Sequence, residues 1–161
     1  MSFSLPYKYI SAEQLAEIIK SKPASALKEF AVVDVRDSDF VGGNIVSALN
    51  YPSDTFHATV DELVQKLETG TSSRSILSSS LCLAHRANVF AIVPKVIFHC
   101  ALSQARGPKA ARIYAETRSH ALPEPAIQQE IFVLRDGFSG FQSKYRHDPE
   151  LIEKFNKYYH D

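Results

Sequence analysis

One stretch concentrates the chemistry of this chain: Ile97-Phe-His-Cys-Ala-Leu-Ser-Gln-Ala-Arg-Gly-Pro-Lys109. A buried-strand pattern ends at Cys100, five residues follow, and Arg106 closes a loop where a helix begins. Such a loop suits the capture of a tetrahedral oxyanion. Backbone N–H groups from Ala101 through Leu102, Ser103, Gln104 and Ala105 to Arg106 would curl around three oxygens as a nest. The helix behind adds unsatisfied N–H groups and the positive end of its dipole. Arg106 offers a planar fork for two oxygens, which lysine would not reproduce. The same field draws the Cys100 thiol from ~8.5 toward the ~3.5–7.5 of activated thiols, making a nucleophile for a phosphoryl-like centre. Ser103 stands where its hydroxyl reaches that sulfur. His99 reads first as a structural hydrogen-bonder, with tuning of the thiolate as the alternative.

The elements that must hold this loop follow from patterning. Ser11 and Gln14 form a capping box that opens a helix with Leu15, Ile18 and Ile19 inward. Phe30–Arg36 is a short, continuous, β-branched run of the kind buried on both faces of a parallel sheet. Asp34 and Arg36, at its end, read as an ion pair holding the loop rather than as reacting groups. Gly42-Gly43 marks a turn, and Ala48–Pro52 a short strand stopped by proline. Thr59 and Glu62 form a second capping box for a helix over Val60–Leu67. Lys95–Cys100 is the strand before the loop, and Pro108 suits the first turn of a helix running to about Arg118. Ile131–Leu134 is a third strong strand, followed by an Asp136-Gly137 turn. Asp148-Pro149-Glu150 predicts a terminal helix with Leu151, Ile152 and Phe155 inward. Strands alternating with helices predict an α/β fold with a mostly parallel central sheet flanked by helices. Residues 69–94, rich in serine, break the rhythm as an irregular insertion within a single domain over 1–161. A surface loop near the site and a retained intron are the two readings of that insertion.

Length and composition set the bounds. At 161 residues, 45% hydrophobic and 22% charged, the chain is long enough for a core and excludes a disordered or collagen-like polymer. Two cysteines make no disulfide framework. No run approaches the ~20 apolar residues of a membrane span, and MSFSLPYKYISAEQ lacks a basic head and apolar stretch. A soluble cytoplasmic or nuclear protein is expected. Six histidines in no metal-binding spacing predict no metal. The net charge of zero argues against nucleic acid and membrane surfaces as partners. It conceals an asymmetry: Thr69–Ala115 holds no acid, but has Arg74, Arg86, Lys95, Arg106, Lys109 and Arg112. Either that segment makes a place that attracts anions, or acids from elsewhere fold back onto it.

With those residues in view, His-Cys-x-x-Ser-x-x-Arg-Gly-Pro, here His99 to Pro108, resembles the active loop of the rhodanese-fold dual-specificity phosphatases of the cell-division-cycle class. It is closer still to their small stand-alone relatives, which include arsenate reductases. Tyr9–Leu15, Val32–Asp37, Asp39–Gly43, Asn50–Ser53 and Phe132–Phe138 are similar to successive rhodanese-domain landmarks. The resemblance implies a rhodanese-like fold and a cysteine-dependent tyrosine or dual-specificity phosphatase working through a phosphocysteine. Cys100 and Arg106 would be its catalytic residues, with a phosphoprotein or small oxyanion as substrate and no cofactor. The alternative it implies is arsenate reduction with glutathione or glutaredoxin as reductant; rhodanese-type sulfur transfer ranks last, since sulfurtransferases typically close the loop with one residue fewer. Two departures matter. The larger phosphatases carry loop carboxylates proposed as the general acid, whereas this loop has Ala101, Gln104 and Ala105, leaving the substrate's own proton, water, Asp37 or Asp39 to serve. Their back-door cysteine is here Val35, and Cys82 reads as a chance occurrence in the insertion.

Overall fold

The computed structural model describes residues 4–21, 25–69, 92–122 and 128–160. Apolar runs that sit on both faces of a sheet need cover on both sides, and the chain supplies it by alternation. The order is β1 (Lys8–Ile10), α1 (Ala12–Ser21), β2 (Phe30–Asp34), a 3-10 turn (Ser38–Phe40), β3 (Asn44–Ile45), β4 (Leu49–Asn50) and α2 (Phe56–Thr69). Then come β5 (Lys95–His99), α3 (Arg106–Ala121), β6 (Glu130–Leu134), α4 (Gly137–Tyr145), β7 (Ile152–Glu153) and a 3-10 turn (Lys157–Tyr159). Five strands pair in the order β1-β6-β5-β2-β4, all parallel. Ala31 and Val33 of β2, Val96 and Phe98 of β5, and Val133 of β6 face α2 and α3, where Leu63, Leu67, Ala111 and Tyr114 are buried. The alternate residues Phe30, Val32, Ile97 and Leu134 face Leu15 and Ile19 of α1 and Phe138 and Phe141 of α4. The expected α/β fold around a mostly parallel central sheet flanked by helices is what forms.

Local signals succeed or fail for identifiable reasons. The first capping box closes as expected: the Gln14 N–H donates to Ser11 Oγ at 3.2 Å and the Ser11 N–H to Gln14 Oε1 at 3.0 Å. The second does not, because α2 begins earlier, at Phe56. Thr59 therefore lies inside the helix, its hydroxyl donating back to the Thr55 and Phe56 carbonyls. The expected terminal helix is replaced. Ile152 and Glu153 form a strand antiparallel to Asn44 and Ile45, and Leu151 and Ile152 are buried there instead of on a helix. One helix-like turn after Asp148 survives, with the Leu151 and Ile152 N–H groups donating to its carbonyl, before the chain pairs with β3. The insertion at 69–94 lies largely outside the described residues, as does Cys82.

The sheet delivers two neighbouring strand ends to one place. Asp34 ends β2 and His99 ends β5, in register with each other, at the carboxyl edge where open α/β sheets form their binding crevices. Behind them lies a buried ionic cluster. Arg36 Nε donates to both Asp34 oxygens at 3.0 Å and Nη2 to Oδ2 at 2.6 Å. The remaining donors of Arg36 reach the Gly43 carbonyl at 2.8 Å and the Asp39 carbonyl at 3.3 Å, and its guanidinium lies 4.1 Å from the Phe138 ring centroid. His99 is fully buried; its Nδ1 donates to the Cys100 carbonyl at 3.2 Å, and its Nε2 faces Asp34 Oδ2 at 3.7 Å.

Two outcomes follow from this arrangement. Gly137 sits at φ +56°, and a Cβ there would lie 2.5 Å from the Cys100 and Ala101 carbonyl oxygens. Gly137→Ala should cost on the order of 1–3 kcal/mol in urea unfolding, because the added methyl strains the backbone and displaces the loop carbonyls. Burial holds the His99 imidazole below its ordinary 6.5. The unfolded chain therefore takes up a proton below pH 6.5 that folded His99 refuses, so stability is lost as pH falls through that value. The slope from this residue approaches about 1.4 kcal/mol per pH unit. Measured against His99→Gln, which cannot titrate, the wild-type advantage should shrink on acidification; a constant difference would refute it.

Candidate active site

Cys100 leaves β5 directly into the loop and is buried, 3% exposed. Its sulfur accepts the Ser103 N–H at 3.1 Å, and its own N–H donates to Ser103 Oγ at 3.4 Å. Ser103 thus reaches the sulfur through its amide rather than its hydroxyl, which differs from the expectation. Its backbone is left-handed, at φ 51°, and that is what turns the amide inward. The loop is also tied from behind. The Phe138 and Ser139 N–H groups at the start of α4 donate to the Cys100 and Ala101 carbonyls, each at 2.9 Å. Those two carbonyls are therefore spent on α4, out of the space an anion would enter. The amides of Ala101, Leu102, Gln104 and Ala105 have no hydrogen-bond partner among the described residues, as a cradle for an external acceptor requires. α3 begins at Arg106, and Gly107 lets it approach closely: a Cβ there would lie 3.3 Å from Ser103 Oγ.

Arg106 is the element that sequence reasoning placed without seeing its partners. Its Nη1 donates to Asp37 Oδ2 at 2.9 Å and to Asp39 Oδ1 at 2.8 Å, and Nη2 to Asp39 Oδ2 at 2.6 Å. Bonding to Asp39 first, and also to Asp37, raises the guanidinium well above its usual value despite some burial. Arg106 in turn holds Asp39 below the ordinary carboxylate range. Burial opposes ionisation of Asp37, but Ser53, Arg106 and the Asp54 amide outweigh it and lower that group too. Ser53 Oγ donates to both Asp37 oxygens, at 3.0 and 2.8 Å, and the Asp54 N–H to Oδ1 at 3.1 Å. The acid-free stretch consequently does not build a free cationic field: two acids from another segment meet its central arginine. Lys95 stands at the far end of β5, roughly 16 Å of strand away from Cys100, and Arg74 and Arg86 lie outside the described residues.

His99, Asp34 and Arg36 are buried together, and His99 bonds the Cys100 carbonyl at the start of the loop. Residues that the sequence reading passed over complete the setting. Asn50 Nδ2 donates to the Asp34 and Arg36 carbonyls at 3.0 and 3.1 Å, fixing the segment that carries Asp37. The motif Asn50-Tyr-Pro-Ser53 was visible, but its role depends on β4 lying beside β2. A cavity of about 400 Å³, lined by Tyr9, Leu102, Ser103, Gln104, Arg135 and Asp136, opens on one side of the loop. Another of about 350 Å³ opens beside Ala101 and Asp39, walled by Arg36, Phe138, Tyr159 and His160. Among the described residues, no group of three His, Cys, Asp or Glu side chains is placed to hold a metal ion, and no helix is long and apolar enough to cross a membrane. Chemically, the arrangement joins a buried thiol, a ring of unpaired amides and an arginine fork whose carboxylate partners an incoming oxyanion must replace.

No established family model matches the chain. It is 30% identical to the dual specificity phosphatase ibp1 of Schizosaccharomyces pombe over 158 residues, which covers 90% of this chain and 95% of that protein. It is 31% identical to arsenate reductase 2.2 of Oryza sativa subsp. japonica, over 83% of this chain and 81% of the relative. Among solved structures, yeast Ygr203w, described as a protein tyrosine phosphatase of the rhodanese family, superposes with a TM-score of 0.68 at 29% identity, covering 96% of each chain. These likenesses extend over nearly the full length, and they agree with a Cys100–Arg106 loop set at the carboxyl edge of a parallel sheet. The chain belongs to the rhodanese-fold family of Cdc25-like dual-specificity phosphatases and their arsenate reductase relatives.

Proposed function

We propose that the protein is a cysteine-dependent protein phosphatase of tyrosine or dual specificity. The observation that carries this reading is the shallowness of the cradle. The Arg106 side chain is 32% exposed, the loop tip at Leu102 is 53% exposed, and a cavity opens on either side. A phosphorylated side chain projecting from a protein surface reaches such a site, whereas a closed pocket would admit only small anions.

The chemistry follows from the placement of the groups. The Ser103 amide, pointed at the sulfur, suits a thiolate at Cys100. That thiolate attacks phosphorus, and the ester oxygen leaves on the opposite side. Arg106 and the amides of the Ala101–Ala105 loop bind the three equatorial oxygens through the transition state, where their charge is most concentrated. Water then releases phosphate from the phosphocysteine. The reaction as written uses no metal and no cofactor. Phosphoproteins or small oxyanions are the substrates, and the cytoplasm or nucleus, in which a reactive thiol survives, is the proposed location; neither nucleic acid nor a membrane takes part.

The same cradle fits arsenate, an isosteric oxyanion, and the rice relative favours that second reading. Val35, buried in the core cluster that includes Cys100, supplies no resolving thiol, so arsenate reduction would draw on glutathione or glutaredoxin from solution. Sulfur transfer ranks below both because five residues, rather than four, separate Cys100 from Arg106.

Cys100→Ser should abolish hydrolysis of nitrophenyl phosphate with an unchanged thermal melt. Arg106→Lys, which keeps charge but loses the fork, should lower kcat/KM by on the order of 10²–10³. Activity retained in Cys100→Ser refutes the phosphatase reading. Arsenate-dependent glutathione oxidation, measured in parallel and exceeding ester hydrolysis, transfers the assignment to the reductase.

A further inference from the structure

Any dianion entering the cradle competes with Asp37 and Asp39 for Arg106, and the two carboxylates are not equally placed to lose it. Asp37 keeps two donors other than Arg106: the Ser53 hydroxyl, shared between its two oxygens, and the Asp54 amide. It remains a solvated, anchored carboxylate. Asp39 retains, on Oδ1, the Asp37 N–H at 3.0 Å, while its Oδ2 is held by Arg106 Nη2 alone. Its side chain is 41% exposed, and it lines the same cavity as loop residue Ala101. When Arg106 turns to an oxyanion, Asp39 Oδ2 is left without a donor beside two new negative charges. Such a carboxylate takes up a proton.

We propose that Asp39 is the general acid of the phosphatase: it exchanges Arg106 for a proton when the phosphate binds and delivers that proton to the leaving oxygen. This rests on the phosphatase reading. The loop supplies no acid itself, with alanine at 101 and 105 and glutamine at 104. The other charged and titratable groups around Asp39 do not compete for the role. Arg36 spends Nη1 on the Asp39 carbonyl and its other donors on Asp34 and Gly43. Asp37 is anchored as described, and Arg106 is taken by the oxyanion. Cys100 is the nucleophile. Across the cavity, His160 faces the Gly42 carbonyl through Nε2 at 3.0 Å, and Tyr159 lines the same wall.

The steps balance. The dianionic ester binds, Asp39 gains a proton from solvent, and Arg106 grips two phosphoryl oxygens. The Cys100 sulfur forms a bond to phosphorus as the phosphorus–oxygen ester bond breaks. The electron pair of that bond passes to the leaving oxygen, which takes the proton from Asp39 Oδ2 and departs as a neutral alcohol or phenol. Water then attacks the phosphocysteine, giving one proton back to Asp39. The sulfur–phosphorus bond breaks, its electron pair returns to Cys100, and hydrogen phosphate leaves. Asp39 releases its proton to solvent and retakes Arg106.

The test compares the wild-type protein, Asp39→Asn and Asp37→Asn across aryl phosphates from dinitrophenyl to phenyl phosphate. Loss of a general acid matters most for a basic leaving group. In Asp39→Asn, kcat/KM should therefore fall by less than about 3-fold on dinitrophenyl phosphate but by on the order of 10²-fold on phenyl phosphate. Asp37→Asn should change kcat/KM by a similar factor on every ester. Inhibition by inorganic phosphate gives a second readout. It should weaken with rising pH in the wild type, where a proton accompanies the anion, more steeply than in Asp39→Asn. An Asp39→Asn loss that is uniform along the series, or a leaving-group-dependent loss in Asp37→Asn instead, overturns the assignment while leaving the phosphatase reading intact. A wild-type protein that hydrolyses none of these esters overturns both.

Discussion

The buried pair between Asp34 and Arg36 is the interaction on which the rest of the site depends. Both side chains are essentially inaccessible to water, so neither charge would survive there alone. Satisfying Arg36 takes more than Asp34, and its remaining donors go to the carbonyls of Gly43 and Asp39. The pair therefore pins the segment that carries Asp37 and Asp39. Phe138 covers the guanidinium, and its own N–H holds the Cys100 carbonyl. Asp34 also faces His99, whose other nitrogen holds that same carbonyl. A single buried charge pair thus positions both sides of the cradle, the carboxylate segment and the thiol loop. The requirement to satisfy every donor of a buried guanidinium is what transmits order from the sheet to the site.

The parts written locally in the sequence are the parts that sequence reasoning recovers. β2, β5 and β6 are continuous apolar runs, because a parallel sheet buries both faces of a strand, and among the described residues no other element has that pattern. The strand–loop–helix unit around Cys100 carries its own punctuation in Arg106-Gly-Pro108. α4 was hidden for the opposite reason: Gly137, Ser139, Gly140 and Ser143 are poor helix formers. It exists because Phe138 and Phe141 are buried and its first amides find the loop carbonyls. The C-terminal segment failed similarly. Asp148-Pro149-Glu150 is a sound helix start, but the edge of β3 offers backbone partners that a local reading does not see.

The largest gap concerned charge. Counting acids along the chain left two outcomes open, a place that attracts anions or acids folding back from elsewhere, and the second holds: folding brings Asp37 and Asp39 to within hydrogen-bond distance of Arg106 from nearly 70 residues away. Linear charge asymmetry measures a field only when segments stay apart, and a parallel α/β sheet guarantees the reverse. Its crossovers gather strand ends from distant parts of the chain at one edge. Asp34, Arg36 and His99 could be assigned a supporting role from sequence because a charged residue at the end of a buried strand demands a partner nearby. Asp37 and Asp39 could be noticed as acids close to a motif. Their difference in anchoring is set by Ser53 and the Asp54 amide, which only the fold delivers.

A carboxylate clamp on the arginine of an open oxyanion cradle has a physical logic of its own. An unpaired guanidinium ringed by free amides would bind any phosphate in solution, including the product. Pairing Arg106 with two carboxylates subtracts from the affinity of every anion by the same displacement cost, because the competent state must first be reached. Ground-state substrate and free phosphate bear that cost equally. The transition state differs, since the developing charge on the leaving oxygen meets the proton that Asp39 acquired in the exchange. The clamp then weakens what an enzyme gains nothing by binding tightly and leaves intact what it must stabilise, which is the differential that produces rate.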